Sequence, residues 1–581
     1  MWPVLLAAVL TLPAGYVDDS LCADCHRELA ESYRHVGMSQ SFSRVGPPTT
    51  AANLIEDFAA PPYFHAKSNQ YFEMRKRGDA IVFRRYQLDA AGKQINVFEQ
   101  PVDWILGSGH RSRTYLYATR GGELYQLPVA WYSQAKAWRM APGYDRADHD
   151  GVTRRVRHEC MFCHNAYAGV AKSSESYWRS QTFPAELPQG IGCQRCHGPG
   201  ARHSAVALTG DLAKTKSSIV NPAWLDARRR MDVCYECHMQ PAVALFGVRR
   251  FGRDIDSFRP GQLLADYAPP IDIDGKENRF EINHHPYRLE QSRCFRESGA
   301  KLTCLTCHNP HRKVAEADRV AHYRAVCMSC HEKAHRASED CVSCHMPQRR
   351  AQDVVHVVMT DHLIQRKPAP NLTAPLEEGH DPQITRVDFL YPYDGKDGEL
   401  LRLVPLVRAH GGASADEVNR LEQLIAQVKP AEIEPYLDLA AGYLRQRRSA
   451  DLEKTAKLIL ERSPGHPLAL EWLGIARTAQ TGNRDEAIRA IEEALRRDPN
   501  RPESEFNLGI YLSGAGRTAD AIAHYQRALT MRPNFTLAWI RLGDAQRESG
   551  DAKSAMESYR RALAIDPSNA RAKAALAAIS P

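Results

Sequence analysis

Fourteen of the fifteen cysteines fall into seven copies of one pattern, Cys-x-x-Cys-His. The copies are Cys22/Cys25/His26, Cys160/Cys163/His164, Cys193/Cys196/His197, Cys234/Cys237/His238, Cys304/Cys307/His308, Cys327/Cys330/His331 and Cys341/Cys344/His345. Each sets two thiols three residues apart, with an imidazole directly after the second. Six of the seven fall between residues 160 and 345. So little chain per motif leaves no room for a conventional apolar core around each one.

Two thiols at this spacing can add to the two vinyl groups on one edge of a haem, and the next imidazole then reaches the iron from below. Structural zinc sites also use Cys-x-x-Cys, but they pair two such knuckles and give no reason for a histidine after every second cysteine. A thioredoxin-like redox pair would occur once, at a strand-to-helix turn. The pattern therefore predicts seven covalently attached haems c. The fourteen cysteines are the thioether sites and His26, His164, His197, His238, His308, His331 and His345 the proximal ligands. Packed haems would themselves form the core, and a close-packed row of haems is a path for electrons.

Seventeen further histidines remain, enough to place a second imidazole on every iron. The expected distal ligands are His35, His110, His203, His284, His311, His335, His356 and His362; His284 forms a pair with His285. Met38, Met239 and Met346 lie near motifs, and methionine ligation would raise a potential. The surplus of histidines favours bis-histidine ligation and low potentials. Cys294 is left over and reads as a small buried residue.

The formal charge of the 581-residue chain is +7. Each ferric haem with its two propionates brings about one negative charge, so seven of them cancel that excess, and a nucleic-acid partner is not expected. Residues 1–15 read as a secretory signal: a short apolar run to Ala14, then the polar Asp18-Asp19-Ser20. Covalent haem agrees with export to the periplasm or another extracytoplasmic site. No later run approaches the roughly 20 apolar residues of a membrane-spanning helix.

A first haem segment (16–45) is followed by residues 46–158, which hold no motif. Runs such as Tyr71-Phe-Glu-Met-Arg75, Ala80-Ile-Val-Phe-Arg-Arg-Tyr86, Arg113-Thr-Tyr-Leu-Tyr117 and Glu123-Leu-Tyr-Gln-Leu127 predict a small antiparallel meander there. A six-haem region spans 159–366 and a Pro-rich connecting segment 367–430. Over 431–581 the spacing changes. Gly482, Gly516 and Gly550 recur every 34 residues, as do Ala494, Ala528 and Ala562, and Pro464, Pro499, Pro533 and Pro567 close the units. This is the period of tetratricopeptide repeats, helical hairpins that stack into a concave surface for a protein or peptide. Three units are clear, and a degenerate fourth covers Pro435 to Pro464. The expected fold is mainly α: a haem-packed cytochrome region with a small β-rich insert, then an α-solenoid.

Four segments carry a family resemblance. They are Cys22-x-x-Cys25-His26 with Ser32-x-x-His35, Gly192-Cys-x-x-Cys-His197-Gly-Pro-Gly-x-x-His203, Cys304-x-x-Cys-His308-Asn-Pro-His311, and Cys341-Val-Ser-Cys-His345-Met-Pro347 followed by Met359-Thr-Asp-His362. The haem half resembles the multihaem cytochromes c of the superfamily that contains pentahaem nitrite reductase and octahaem hydroxylamine oxidoreductase. More closely, the chain looks like exported bacterial cytochromes that join such a region to tetratricopeptide repeats. The resemblance implies that His203 and His311 serve neighbouring haems as distal ligands. The chain departs from it in having neither a Cys-x-x-Cys-Lys motif nor an eighth haem motif.

Two functions follow as expectations. The first is an electron carrier between extracytoplasmic redox partner proteins, with the repeats docking one of them. The alternative is an oxidoreductase acting on a small nitrogen or sulfur compound at one five-coordinate haem, with Arg111, Arg113 or Tyr115 near the open face.

Overall fold

The computed structural model describes residues 13–46, 54–170, 176–241, 245, 247–275, 278–332, 339–379 and 384–579. Residues 1–12, most of the expected leader, and His335 lie outside them. Among the described residues no helix is long and apolar enough to cross a membrane. The chain is mainly helical, with β-sheets in its N-terminal part.

The expected single meander is two antiparallel sheets. Their strands are β1 (Phe42–Arg44), β2 (Tyr63–His65), β3 (Gln70–Arg77), β4 (Ala80–Leu88), β5 (Gln94–Pro101), β6 (Trp104–Leu106), β7 (Ser112–Ala118), β8 (Leu124–Tyr132), β9 (Ala137–Met140) and β10 (Arg155–Val156). One sheet runs β2-β3-β4-β5. The other runs β1-β6-β7-β8-β10, with β9 also paired to β8. Strands of two to four residues, such as β1, β6, β9 and β10, are too short to show a period of two, and so the second sheet is hidden in the sequence.

The two sheets share one core, in which Phe72, Ile81 and Phe83 meet Tyr115, Tyr117, Tyr125 and Leu127. Successive strand residues face opposite ways. Leu116, between two core tyrosines, therefore joins Phe42, Trp104, Leu124 and Met161 on the far face. Met161 belongs to the second Cys-x-x-Cys-His motif, so the sheet fixes that motif directly.

The motif-rich part is built differently. From Arg293 to Arg350, a stretch with three motifs, Thr303 is the one buried side chain among the described residues. Polypeptide without an apolar interior does not offset its own ordering entropy. A folded segment of this kind needs its core from another source, and haem rings supply one.

The C-terminal part stacks helical hairpins. Three pair Pro467–Thr481 with Arg484–Arg497, Pro502–Gly514 with Thr518–Met531, and Thr536–Glu548 with Ala552–Ile565. The degenerate unit forms a hairpin as well, Glu434–Arg445 with Ser449–Arg462. Within the stretch read as a connector, Gly398–Ala409 and Ala415–Val428 make a further hairpin, packed on the next through Leu400, Val404, Val407, Leu421 and Leu437. It carries none of the recurring Gly, Ala and Pro marks that reveal the others. Gly482, Gly516 and Gly550 sit at positive φ (77°, 78° and 88°), and a second glycine series is steric: a Cβ on Gly509 would stand 2.5 Å from Tyr525 Cε1, and one on Gly543 2.7 Å from Tyr559 Cε1.

The solenoid lies against the sheets along its inter-repeat loops. Asn500 Nδ2 donates to Gly121 O (2.8 Å), and Asn534 Nδ2 donates to Tyr117 Oη (2.7 Å) and Val152 O (3.0 Å). Gly121 N donates to Met531 O (3.0 Å), and the fully buried Arg85 donates to Ile565 O (3.0 Å). The loop residues Asn500 and Asn534, like Met531 and Ile565, are 34 apart in sequence, so the repeat period becomes a row of equivalent contacts. Arg532 is the centre of this seam: it is buried, donates through Nε to Glu123 Oε2 (2.7 Å), and also reaches Ser180 and Glu503. Further along, Trp178 Nε1 and Arg408 Nε both donate to Asp438 (2.7 and 2.9 Å).

Breaking a buried pair strands the remaining charge. Arg532→Ala should therefore cost about 3–5 kcal/mol, read as a fall in the urea midpoint of the haem-loaded protein, whereas the double change Arg532→Met/Glu123→Met should cost much less. A second expectation concerns acid. His466 caps the helix Pro467–Thr481, and burial, with Arg501 and Arg179 nearby, lowers it from 6.5 to about 4. The unfolded chain then takes up the proton first. Stability is fully present above about pH 6.5 and falls as the pH drops towards 4, by up to roughly 3 kcal/mol. His466→Asn replaces the capping Nδ1 by an amide oxygen that does not titrate, and should lose less stability between pH 7 and pH 5, measured by denaturant titration at each pH.

Candidate functional site

All seven motifs open inside helical segments: Asp19–Cys25, His158–Phe162, Cys193–His197, Ala227–His238, Cys304–Cys307, Arg319–Met328 and Cys341–His345. One helical turn brings residues i and i+3 onto a single face, so both sulfurs of a motif point the same way and the histidine follows at the helix end. None of the cysteines is in a disulfide. Burial pushes the Cys160 thiol up to about 11 and that of Cys196 to about 12. A nucleophilic or redox-active cysteine needs the opposite shift; Cys22 and Cys304, each beside a cysteine of another motif, are lowered by that contact.

The fourteen cysteines are not equally enclosed. Cys25, Cys330 and Cys344 are exposed and the other eleven are half-buried. Each of the three is the second cysteine of its motif, at or just past the C-terminal part of a helix with no buried residue: Asp19–Cys25, Arg319–Met328 and Cys341–His345. Around Cys330 and Cys344 the chain offers small polar neighbours, with Ser329 Oγ and Ser343 Oγ each 3.9 Å from the adjacent Sγ. No protein layer covers these sulfurs, so a porphyrin attached there keeps an edge towards solvent.

Cysteines of different motifs adjoin. Ligand atoms of Cys22, Cys193 and Asp19 lie within 4.8 Å of one another. Cys163 Sγ is 3.9 Å from Cys237 O. Cys304 packs beside Cys234, with its Sγ 3.7 Å from Met231 Sδ, and Cys327 is a neighbour of Cys341. Haems attached at these sulfurs would have their edges side by side.

The histidines give the sharper test. Two imidazole nitrogens each about 2.0 Å from one metal, with the ring nitrogen roughly 1.1 Å from its centroid, put the two centroids about 6.2 Å apart. Four pairs have this spacing: His26 and His203 (6.3 Å), His197 and His311 (5.9 Å), His238 and His285 (6.4 Å), and His308 and His362 (6.1 Å). The first two pairs are also nearly parallel, at 14° and 13°. In every pair one member is the histidine of a motif and the other is not.

Metal-binding histidines commonly hold the proton of the second ring nitrogen on a backbone carbonyl. That arrangement recurs here: Nδ1 of His197 on Val220 O (2.8 Å), of His203 on Thr215 O (3.1 Å), of His345 on Gln365 O (2.8 Å) and of His362 on Thr360 O (3.2 Å). At His197, His203 and His362 this directs Nε2 to the opposite side, where a metal would bind. Burial also holds His164 and His362 down at about 4, which keeps them neutral, the form a metal requires. The residues present thus fit haem on independent grounds of spacing, tautomer and charge.

Of the expected distal ligands, the structure places His203, His311 and His362 opposite motif histidines. His285 rather than His284 faces His238; His284 is buried against Asp272 (3.3 Å) and Glu281 (3.4 Å). Two adjacent histidines cannot be told apart by spacing; the helix His285–Glu290 turns only one of them to the motif. His356 packs edge-on to Tyr132 and lies 3.4 Å from Asp145. His35 and His110 are exposed. Among the described residues no imidazole pairs with His164 or His331 at the spacing above. Met239 is a core residue beside Met231, Tyr235 and Phe258. Arg113 and Tyr115, suggested for an open haem face, instead hold Glu56 (3.2 and 2.9 Å) at the sheet core. Burial lowers Arg111, against the opposing effect of Glu316. Cys294 is half-buried near Cys327.

The solenoid has a cleft of about 380 Å³ between its last hairpins, lined by Gln526, Leu529, Trp539, Leu542, Gln546 and Ser558.

Comparison with known proteins agrees with this geometry. A family model for a doubled CXXCH motif matches residues 297–336, one for cytochrome c554 and c-prime matches 130–198, and one for the tetratricopeptide repeat matches 477–533 and 506–570. The chain is a multihaem cytochrome c fused to tetratricopeptide repeats. The multiheme cytochrome MtrA of Shewanella baltica is 22% identical over 179 residues, which is 30% of this chain and 51% of the relative. The cytochrome thus spans about half the length of the curated relative it matches. Among solved structures, MamA is 18% identical with a TM-score of 0.25, covering 30% of this chain and 97% of its own. The first tetratricopeptide domain of Spaghetti (RPAP3), bound to an HSP90 peptide, is 26% identical with a TM-score of 0.19, covering 19% and 89%.

Proposed function

We propose that this cytochrome carries seven haems c and conducts electrons along them between extracytoplasmic redox partner proteins. The observation that carries the proposal is the set of four imidazole pairs at bis-histidine spacing. An iron with two imidazoles is closed to substrate and suited to electron transfer alone. Assigned by geometry, His203 is the distal ligand of the first haem, His311 of the third, His285 of the fourth and His362 of the fifth. Three of these follow one rule. The segment after motif three closes haem one, that after motif five closes haem three, and that after motif seven closes haem five. Adjoining cysteines then order the row as one, three, four, five, six and seven, with haem two against haem four through Cys163 and Cys237. The leader-like N-terminus and the covalent haems support export, and the solenoid cleft is the site offered to a protein or peptide partner.

The second reading, a reductase of a small nitrogen or sulfur compound, rests on His164, for which no described imidazole stands opposite. Absorption and EPR spectra decide between the two. For an electron carrier the ferric protein gives low-spin signals only, and carbon monoxide leaves the dithionite-reduced spectrum unchanged; the intact mass exceeds that of the chain by seven haems. A high-spin signal that carbon monoxide shifts would make the protein a reductase, to be assayed first with nitrite and hydroxylamine. The assignment at the fourth haem has its own test. His285→Ala should turn one haem high-spin while His284→Gln leaves all of them low-spin, and the reverse outcome would reassign the ligand.

A further inference from the structure

Residues 201–230 join the third motif to the helix of the fourth, and they do more than connect. The helix Ala201–Ala207 carries His203, opposite His26. The next helix, Leu212–Ser217, is capped by Asp211 and fixes His203 through Thr215 O and Ser218 Oγ (3.1 and 3.2 Å). Val220 O then holds His197. One short excursion thus roofs the first haem and reaches the third.

Its outer surface is unusual. Leu208, Leu212 and Trp224 are 89%, 75% and 65% exposed, the three most exposed large apolar side chains among the described residues. Single exposed leucines need no explanation; three on the roof of one site do. The same stretch holds six basic residues against two acidic ones; Arg228, Arg229 and Arg230 are half-buried, Arg229 pairs with Asp226 (2.7 Å) and Lys214 with Asp211 (3.0 Å). Arg202, Lys214 and Lys216 are exposed beside the leucines.

We propose that this excursion is the docking surface for an acidic electron-transfer protein, which exchanges electrons with the cytochrome through the first haem. The inference rests on the electron-carrier reading and names the kind of partner. An apolar centre with a charged rim is the anatomy of a transient interface, in which the rim steers the encounter. The sign of the rim selects the occupant. A second copy would meet the same basic surface and be repelled, whereas an acidic partner is attracted. Location points the same way: the first motif adjoins the third through Cys22, Cys193 and Asp19, so the first haem is one end of the proposed row.

The probe is flavodoxin, a small acidic flavoprotein, in its anionic hydroquinone form. It gives one electron to a ferric haem and becomes the neutral semiquinone, with no proton released; the iron goes from ferric to ferrous. Stopped-flow reduction of the holo-protein is followed at low and high salt, with reduced lumiflavin as a small uncharged donor for comparison. Lys214→Glu/Lys216→Glu should slow reduction by flavodoxin about tenfold at low salt and flatten its salt dependence, and Leu208→Asp/Leu212→Asp should slow it at all salt concentrations. Reduction by lumiflavin should not change. Flavodoxin rates equal to wild type in both variants would overturn the proposal. So would co-sedimentation of wild type but not the variants with vesicles of equal parts phosphatidylcholine and phosphatidylglycerol, if flavodoxin rates stay equal; the surface would then be a membrane contact. Failure of the electron-carrier reading looks different: lumiflavin would leave part of the haem oxidised, or carbon monoxide would bind.

Discussion

Under the proposed ligation, the architecture of this cytochrome turns on one requirement, that two imidazoles meet across a single iron. The partners come from far apart in the chain, His26 from His203 and His197 from His311. Closing such loops costs entropy that grows only slowly with their length, and an iron with two nitrogen bonds offsets it where apolar burial is scarce. Between Arg293 and Arg350 burial is scarcer than in any ordinary domain. Folding there is therefore coupled to haem attachment, as folding is coupled to metal in other small sites.

The sheets and the solenoid follow from that weakness. A haem-rich segment with little protein core gains rigidity from what it is pressed against. The face of the sheet that carries Leu116 and Leu124 grips Met161 in the second motif. The other face, through Tyr117 and Glu123, holds Asn534 and Arg532 of the repeats. The repeats are consequently part of the cytochrome body along their loop edge, and a cleft around Trp539 and Leu542 lies open between the last hairpins. A repeat domain on a free tether would not need a buried arginine such as Arg532, whose charge is matched by Glu123 across the seam.

Legibility in the sequence follows the range of the physics. Covalent attachment is local, and the motifs, their proximal histidines and the 34-residue period could be read directly. How deeply each motif sits is not local: nothing in the pattern separates the exposed Cys330 and Cys344 from the half-buried Cys163 or Cys196, because the difference lies in which sheet or hairpin packs alongside. His203, His311 and His362 were legible because each follows a motif in a short segment with its own turn chemistry. His285 was named only as the neighbour of His284, since choosing between adjacent residues requires the helix that begins at His285. His356 had the same sequence credentials as His362, yet Asp145 and Tyr132 take it into the sheets. The hairpin Gly398–Ala409 and Ala415–Val428 was missed although Leu400, Val404 and Val407, and then Val418, Leu421 and Ile425, have helical spacing; the prolines before it suggested a linker.

Ligation also bears on what the molecule can do with an electron. Bis-histidine irons differ little in intrinsic potential, so the protein tunes them mainly through burial and nearby charge. Here that environment is uneven. Arg195, buried in the third motif, is bonded to the half-buried Asp256 at 3.2 Å, whereas the ion pairs around the sixth and seventh motifs, such as Arg319–Glu316 and Arg324–Glu339, are largely exposed. A row of chemically similar haems in dissimilar surroundings has a direction in free energy, and Coulomb terms weigh most where water is excluded. Buried charge is not confined to one motif: Arg195 lies in the third, and the pair Arg288–Asp361 (2.8 Å) adjoins His362.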